Sequence, residues 1–180
     1  MSPSKIEHKL PLEVLEGLAL DQKPRIVMSE GNDPRVITGA IAACNSGICQ
    51  IILLGSQLDI KNECKNLGLN LPIDISIINP EKSELLPEFE KEYLNIRKKK
   101  GGSIKEAQTK IKEPLIFAAL MVRLGYSTGT VGGAVETTSN VVRAAIQIIG
   151  KSDDAKLISS CFLMYPKGSF PMVFSDCGLV

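Results

Sequence analysis

The sequence predicts an α/β protein with a mainly parallel sheet covered by helices on both faces, a three-layer αβα arrangement. Up to residue 150, short apolar segments of strand length alternate with segments of helical spacing. Strands that alternate with helices in this way pair in parallel. From residue 151 onward the pattern changes, because two strand-like segments follow each other with only PKGSF between them. They predict an antiparallel hairpin.

The first half of the chain contains three predicted strands, each short and apolar, and three predicted helices. The loop SEGNDPR after the first strand combines charged and turn-forming residues. Asp33 is expected to cap the helix that Pro34 begins. In chain order the predicted helices and strands are Glu13–Leu20, Arg25–Met28, Pro34–Ala43, Gln50–Leu54, Asp59–Leu67 and Ile75–Ile78.

The second half is predicted to be largely helical before the hairpin. A long amphipathic helix, Ser83–Lys100, places Leu86, Phe89, Tyr93 and Ile96 on one face. Gly101 and Gly102 end it, and Ser103 with Glu106 has the spacing of a capping box. Pro114–Leu124 is almost wholly apolar and predicts a buried helix, and Lys156–Tyr165 and Met172–Leu179 predict the hairpin strands.

The segment TGTVGGAVETTSNVVR, residues 128–143, is the strongest candidate for a binding site. Gly132 and Gly133 permit positive φ and a close approach of a ligand. Free N–H groups at a helix start favour an anion, and the hydroxyl residues there and an arginine one turn later fit the same role. An ordinary capped strand–turn–helix connection is the alternative. The residues concerned are Thr137, Thr138, Ser139 and Arg143.

Composition narrows the class of protein. The 180 residues carry a net charge of +1 and no apolar run that could span a bilayer, so we expect neither nucleic acid nor a membrane as partner. Five cysteines without a CxxC pair predict free thiols and a cytoplasmic location. No metal-ligand cluster is visible, and His8, the only histidine, excludes a histidine-based triad within the chain.

Three further residues are candidates for a site at the carboxyl edge of the sheet, where ligands of open α/β sheets bind. Asp33 and Arg35 lie in the loop after the first strand, although capping is the preferred role for Asp33. Arg97 lies near the end of a long helix, and helix position alone predicts a solvated side chain.

Four segments in register resemble the phosphate acetyl/butyryltransferase family over nearly the whole chain: SEGNDPRV, NIRKKKGGS, EPLIFAALMVRLGYSTGTVGGAVETTSNVVRAAIQII and LISSCFLMYPKGSFPMVFSDCGL. The resemblance implies acyl exchange between coenzyme A (CoA) and inorganic phosphate, and favours the acetyl over the butyryl form. It implies a two-domain fold like that of isocitrate and isopropylmalate dehydrogenases, with the active site between the domains. It also implies that Arg97 and Arg143 bind substrate, that Thr137, Thr138 and Ser139 face phosphate, and that the full-length protein is a homodimer.

The resemblance also implies what the chain does not contain. We expect residues 1–150 to form the N-terminal α/β domain and residues 151–180 to begin a second, truncated domain. The family's catalytic serine–arginine pair and its aspartate fall beyond FSDCGL, so no catalytic residue is assigned here. The only expected small-molecule partners are phosphate and CoA or acetyl-CoA as substrate, with no permanently bound cofactor.

Two positions depart from the family pattern. Glu136 stands where relatives often have histidine, and Asn140 where aspartate is common. A carboxylate beside an anion site weakens phosphate binding unless it points away. Because the family's catalytic residues fall beyond FSDCGL, the chain alone is expected to be inactive. A non-catalytic acetyl-CoA-binding fragment or regulatory domain is the alternative of another class. A dehydrogenase is disfavoured because neither a dinucleotide fingerprint nor a metal-binding aspartate set is visible.

Overall fold

A computed structural model describes residues 11–98, 101, 103–156, 158–167 and 169–175. None of the helices in these ranges has both the length and the apolar character needed to cross a membrane. The elements are α1 (Pro11–Gln22), β1 (Arg25–Met28), α2 (Pro34–Ser46), β2 (Gln50–Leu54), α3 (Gln57–Asn66), β3 (Ser76–Ile78), α4 (Leu86–Arg97), α5 (Ile104–Lys110), α6 (Pro114–Arg123), β4 (Gly129–Val131), α7 (Thr138–Ala144), a π-helical turn (Ala145–Ile149), β5 (Cys161–Met164) and β6 (Met172–Ser175).

The first four strands form one parallel sheet in the order β3-β2-β1-β4. β1 is central, and its residue Ile26 pairs with Ile51 on one side and Gly129 on the other. The chain builds outward from β1 through β2 and β3, and then returns to add β4 on the opposite edge. The loops after β1 and β4 therefore flank a topological switch point, which is where open α/β sheets bind ligands.

Helices cover both faces of this sheet, as predicted. Alternate residues of β2 enter two separate cores, because successive side chains of a strand point to opposite faces. Ile51 and Leu53 pack with buried residues of α2 and α3. Ile52 and Leu54 pack in the larger core, whose buried residues come mainly from α4, α5, α6 and α7. The three-layer αβα prediction is thus confirmed.

The predicted hairpin is also confirmed, since β5 and β6 pair antiparallel from Cys161 with Ser175 to Met164 with Met172. Every residue of both strands is exposed. The exposed side chains include Phe162, Leu163 and Val173. The division of the chain into domains at residues 150 and 151 stays a prediction.

Several element boundaries differ from those predicted, among them both ends of α1, the end of α2 and the start of α3. α4 begins at Leu86 rather than Ser83, because the Ser83 hydroxyl accepts the N–H of Leu85 and holds a turn there. β5 begins at Cys161 rather than Lys156. The helix that follows the glycine loop is α-helical only to Ala144 and then π-helical. Lys99, Lys100, Gly102 and residues 176–180 lie outside the described residues.

Candidate functional site

A cleft of about 930 Å³ opens at the carboxyl ends of β1 and β2. One wall is the loop after β1, residues 29–34, with Leu54 and Gly55 at the end of β2. A second wall comes from α4, α5 and the start of α6, and a third from residues 135–147 after β4. The cleft therefore occupies the switch point that the strand order defines.

Arg97 enters the cleft from the last turn of α4, and Tyr93, one turn earlier, lies beside it. The Arg97 side chain is only 24% exposed, and its Nη2 lies 3.5 Å from Oε1 of Glu106. Its Nε is buried without a hydrogen-bond partner among the described residues. A buried donor of this kind is costly unless an acceptor reaches it. The solvated position that the helix end alone predicted is wrong, and binding of an anion by Arg97 stays a prediction.

Arg143 enters the same cleft from α7. Its side chain is exposed, and the described part of the chain offers it neither a hydrogen bond nor an ion pair within contact distance. An arginine remains charged at any ordinary pH. The structure thus brings Arg97 and Arg143 to one cavity from two different helices, as the sequence resemblance implied.

The loop after β4 holds an anion that belongs to the protein itself. Glu30, the second residue after β1, accepts four backbone N–H groups with its carboxylate. Oε2 accepts from Gly133 at 2.9 Å and Ala134 at 2.8 Å, and Oε1 accepts from Val135 at 2.8 Å and Glu136 at 2.7 Å. Burial by itself would raise the pKa of Glu30, but the four donors together lower it below the ordinary value. The carboxylate is therefore charged at neutral pH.

The structure explains why glycine stands at positions 132 and 133 of this loop. A Cβ on Gly132 would lie 2.6 Å from the Ser29 hydroxyl oxygen, far inside contact distance. Gly133 has a φ of +105°, which side chains rarely tolerate. Neither glycine lines the cleft. Direct contact of Gly132 or Gly133 with a substrate stays a prediction.

The three hydroxyl residues stand at the start of α7. Thr137 is its N-cap, and its Oγ1 accepts the N–H of Asn140 at 3.2 Å. Thr137, Thr138 and Ser139 are all exposed, and the cleft wall next to them consists of Glu136, Asn140 and Arg143 instead. That the three hydroxyls contact phosphate also stays a prediction.

The two departures from the family pattern contact each other in the cleft. The Asn140 amide donates to Oε2 of Glu136 at 2.8 Å, and both residues line the cavity. Glu136 therefore does not point away from the candidate anion site. Its charge is expected to oppose an anionic ligand there.

Asp33, the N-cap of α2, and Arg35, in the first turn of that helix, form an ion pair. Asp33 caps α2 by accepting the N–H of Arg35 at 2.9 Å, which confirms the capping prediction. The Arg35 guanidinium donates to Asp33 at 2.8 Å and to the carbonyl of Ala134 at 2.6 Å. Hydrogen bonding by Arg35 lowers the pKa of Asp33 to about 2. Asp33 lines the cleft, whereas Arg35 contacts the loop after β4.

Sequence reasoning missed the other charged residues of the cleft. Lys110 pairs with Glu113 at 2.8 Å, and both line the cavity with Glu106. The Ser103 hydroxyl accepts the N–H of Glu106 at 3.1 Å, so the predicted cap exists, but the Glu106 carboxylate faces Arg97. The only sequence signal was the helical spacing of Glu106 and Lys110 on α5. Among the described residues, no group of three or more His, Cys, Asp or Glu could hold a metal.

Comparison with known proteins identifies the family of the chain that forms this cleft. The sequence profile of the family described as Phosphate acetyl/butaryl transferase matches residues 12–180. The chain belongs to this family.

Several phosphate acetyltransferases are similar to the chain. The protein of Helicobacter pylori is 37% identical over 166 residues, which cover 92% of this chain and 32% of the relative. That of Paracoccus denitrificans is 36% identical over 175 residues, or 94% of this chain and 51% of the relative. That of Thermoanaerobacterium thermosaccharolyticum is 33% identical over 166 residues, or 89% and 50%. The chain thus spans about half the length of most of these curated relatives, and less of the Helicobacter protein.

Solved structures of the family share the fold. A phosphotransacetylase from Streptococcus pyogenes superposes with a TM-score of 0.83 at 30% identity, covering 93% of this chain and 51% of that protein. The EutD phosphotransacetylase from Staphylococcus aureus gives 0.81 at 28% identity, covering 94% and 52%. The α/β fold predicted from the sequence is therefore that of solved phosphotransacetylases.

Proposed function

We propose that this chain provides part of the substrate site of a phosphate acetyltransferase, which converts acetyl-CoA and phosphate into acetyl phosphate and CoA. The observation that carries the proposal is the meeting of Arg97 and Arg143 in one cleft of a chain from this family. Acetyl transfer is preferred to butyryl transfer because the relatives named above are phosphate acetyltransferases.

The charges of the two arginines suit the proposed ligands. Phosphate and the phosphate groups of CoA are anions that guanidinium groups bind through paired hydrogen bonds. Arg143 has no internal partner in the described residues, and the buried Nε of Arg97 lacks an acceptor. We assign both a binding role. The exposed hydroxyls of Thr137, Thr138 and Ser139 are proposed as further phosphate contacts, with Gly132 and Gly133 shaping the turn that leads to them.

The proposed reaction needs no covalent enzyme intermediate. A phosphate oxygen attacks the thioester carbonyl, a C–O bond forms, and the C–S bond breaks as CoA leaves as a thiolate. In reverse, the thiolate attacks the carbonyl of acetyl phosphate, and phosphate leaves. The arginines contribute by holding both anionic substrates in line and by offsetting charge. Proton transfer at the thiol is not assigned to any residue of this cleft.

We make three further proposals, on the cofactor, the location and the oligomeric state of the protein. CoA is a substrate, and we propose that no cofactor is permanently bound. We also propose a cytoplasmic homodimer, consistent with the composition and with the exposed apolar side chains of β5 and β6. Gel filtration with light scattering tests the dimer, and a monomer at all concentrations contradicts it.

A second function of another class is a non-catalytic unit that binds acetyl-CoA. It is favoured by one observation: the carboxylate of Glu136, where the family often has histidine, lines the cleft and accepts a hydrogen bond from Asn140. The two functions differ in acyl exchange, which a binding unit does not catalyse. Acyl exchange by the protein with acetyl-CoA or butyryl-CoA therefore excludes the binding unit, and the preferred substrate also decides the acyl chain length.

The binding role of the arginines is tested directly by calorimetry. Arg97→Ala and Arg143→Ala are each expected to weaken CoA or phosphate binding by about tenfold or more, as expected when a charge-assisted hydrogen bond is lost. Lys61→Ala is the control, because Lys61 is exposed on α3 and does not line the cleft. Wild-type affinity for both ligands in both arginine variants contradicts the assignment.

A further inference from the structure

We propose that Glu30 is a positioning residue of this site. Its carboxylate acts as a built-in anion that holds residues 133–136 and so sets where α7 presents Asn140 and Arg143 to the ligand. The inference rests on the proposed function for its ligand-binding measurements, but the contacts that carry it are independent of that function.

The Glu30 side chain alone accepts hydrogen bonds from four backbone N–H groups. Successive backbone N–H groups that converge on one point form a concave anion site, which proteins commonly use for phosphate. Here the four N–H groups of residues 133–136 converge on Glu30 at 2.7–2.9 Å. Hydrogen bonds to a carboxylate are stronger than those between neutral groups. The loop is therefore shaped around a negative charge that the chain itself supplies.

The four donors are connected directly to the helix that lines the cleft. Glu136 is the last of the four, and Thr137, the next residue, caps α7. Asn140 and Arg143 follow on that helix and line the cavity. A displacement of residues 133–136 consequently moves the start of the helix that carries both side chains.

A positively charged side chain also contacts the loop after β4. The Arg35 guanidinium donates to the carbonyl of Ala134 at 2.6 Å, and the N–H of Ser29 donates to the carbonyl of Val131 at 3.2 Å. The loop after β1 thus binds N–H groups of the other loop with a carboxylate and a carbonyl with a guanidinium. These contacts fix both its position and its orientation.

These contacts also determine which groups bind the ligand. An external phosphate reaches the four N–H groups only by displacing Glu30, so it must bind the arginines instead. Glutamine cannot replace the carboxylate, because its NH₂ group would face two N–H donors. Removal of the side chain, in contrast, leaves an empty concave site for a small carboxylate such as formate.

The test uses the full 180-residue chain and four variants: Glu30→Gln, Glu30→Ala, Glu30→Asp and the control Glu84→Gln, an exposed carboxylate outside the cleft. Circular dichroism identifies the variants that fold. Glu30→Gln is expected to weaken CoA binding about tenfold, and formate to restore Glu30→Ala to within about threefold of wild type. Glu30→Asp keeps the charge on a shorter side chain, so its affinity for CoA is expected to lie between those of wild type and Glu30→Gln. This variant keeps the test usable if Glu30→Gln does not fold.

Two measurements separate positioning from general destabilisation. In a protein that already carries Arg143→Ala, Glu30→Gln is expected to lower the affinity for CoA by less than about threefold. The reason is that its effect passes through Arg143, and the effects of coupled residues are not additive. In amide NMR spectra, the signals of residues 133–136 and of Arg143 are expected to shift in Glu30→Gln. Formate is expected to move those of Glu30→Ala back towards wild type.

Unchanged amide signals in Glu30→Gln, or an equal loss of affinity with and without Arg143, overturns the proposal. No effect of formate on the amide signals of Glu30→Ala overturns it as well. If the wild-type chain does not bind CoA, the proposed function fails, whereas the NMR comparison still decides the role of Glu30.

Discussion

Arg97 and Arg143 line one cleft, but their surroundings differ. Arg97 is mostly buried and lies 3.5 Å from the Glu106 carboxylate, whereas Arg143 is exposed without an internal partner among the described residues. Under the proposed function, an incoming phosphate competes with Glu106 for Arg97 and with water alone for Arg143. Glu106 is the residue whose removal should strengthen binding.

We predict that Glu106→Gln binds phosphate about 1.4- to fivefold more tightly, because partly exposed ion pairs are worth roughly 0.2–1 kcal/mol. The gain is expected to shrink as salt is added, since screening already weakens the pair. Calorimetric titration at low and high salt measures both effects. Glu90→Gln removes a carboxylate from the helix of Arg97 but outside the cleft, and an equal gain there contradicts the prediction.

Gly133 supports a prediction about stability. Its φ of +105° lies where a side chain costs on the order of 1–3 kcal/mol, so Gly133→Ala is expected to lower the free energy of unfolding by that amount. Gly39→Ala is the matched control: Gly39 lies within α2 and its added Cβ meets nothing within 4 Å. It should stabilise the protein by about 0.4–1 kcal/mol. Urea unfolding measures both, and equal signs would refute the comparison.

The sequence predicted these residues to different degrees. Arg143 could be predicted because its helical spacing from Ser139 places it over the helix start. Glu30 could not, because its four partners lie 103 to 106 positions away along the chain. Arg97 was recognised only through the family resemblance, since a helix-end arginine is ordinarily solvated. Local spacing shows only contacts within one element, and the two loops meet only in the folded sheet.

At the scale of elements, the loops after β1 and β4 form one unit that depends on charge. Glu30 accepts four N–H groups, and Arg35 links Asp33 to the Ala134 carbonyl. The pKa of Glu30 is lowered from an ordinary value of 4.5. Its contribution to stability is therefore complete above about pH 4.5 and is lost as the pH falls through the lowered pKa.

We predict that the wild-type protein loses stability below pH 4.5 more steeply than Glu30→Gln, which has no carboxylate to protonate at that position. Asp33, with a pKa of about 2 against an ordinary 3.8, contributes to the loss only at still lower pH. Urea unfolding at pH 7, 5, 4 and 3 measures the two curves. Parallel curves would show that Glu30 is not bound in its charged form.

A long-range contact also lies at one element boundary that periodicity missed. α7 gives way to a π-helical turn after Ala144, and two carbonyls of that turn, on Ile148 and Ile149, accept the Arg123 guanidinium of α6. Arg123 also pairs with Glu92 of α4 at 2.6 Å. Three helices are thus tied at one point, which no local pattern could show. The strands and buried helices were predictable because their apolar runs are local.

At the scale of the whole molecule, the cleft and the two cores use one part of the chain. The cleft is lined by residues between Ser29 and Gln147, and the core residues extend no further than Ile149. β5 and β6 pair with each other and leave their side chains exposed. Among the described residues, the cleft and both cores are therefore built from positions up to 150, and a domain boundary there stays a prediction.

We predict that a chain ending at Gly150 unfolds cooperatively and binds CoA within about twofold of the full chain, because a domain with its own core folds alone. Trypsin is expected to cut the full chain first at the exposed Lys156 or Lys167. A chain ending at Glu136 is the control, since it lacks α7 and the buried Ile148 and should not fold. Circular dichroism melts and calorimetry compare the three. Loss of cooperative unfolding on removal of residues 151–180 would place the boundary elsewhere and make the hairpin part of the core.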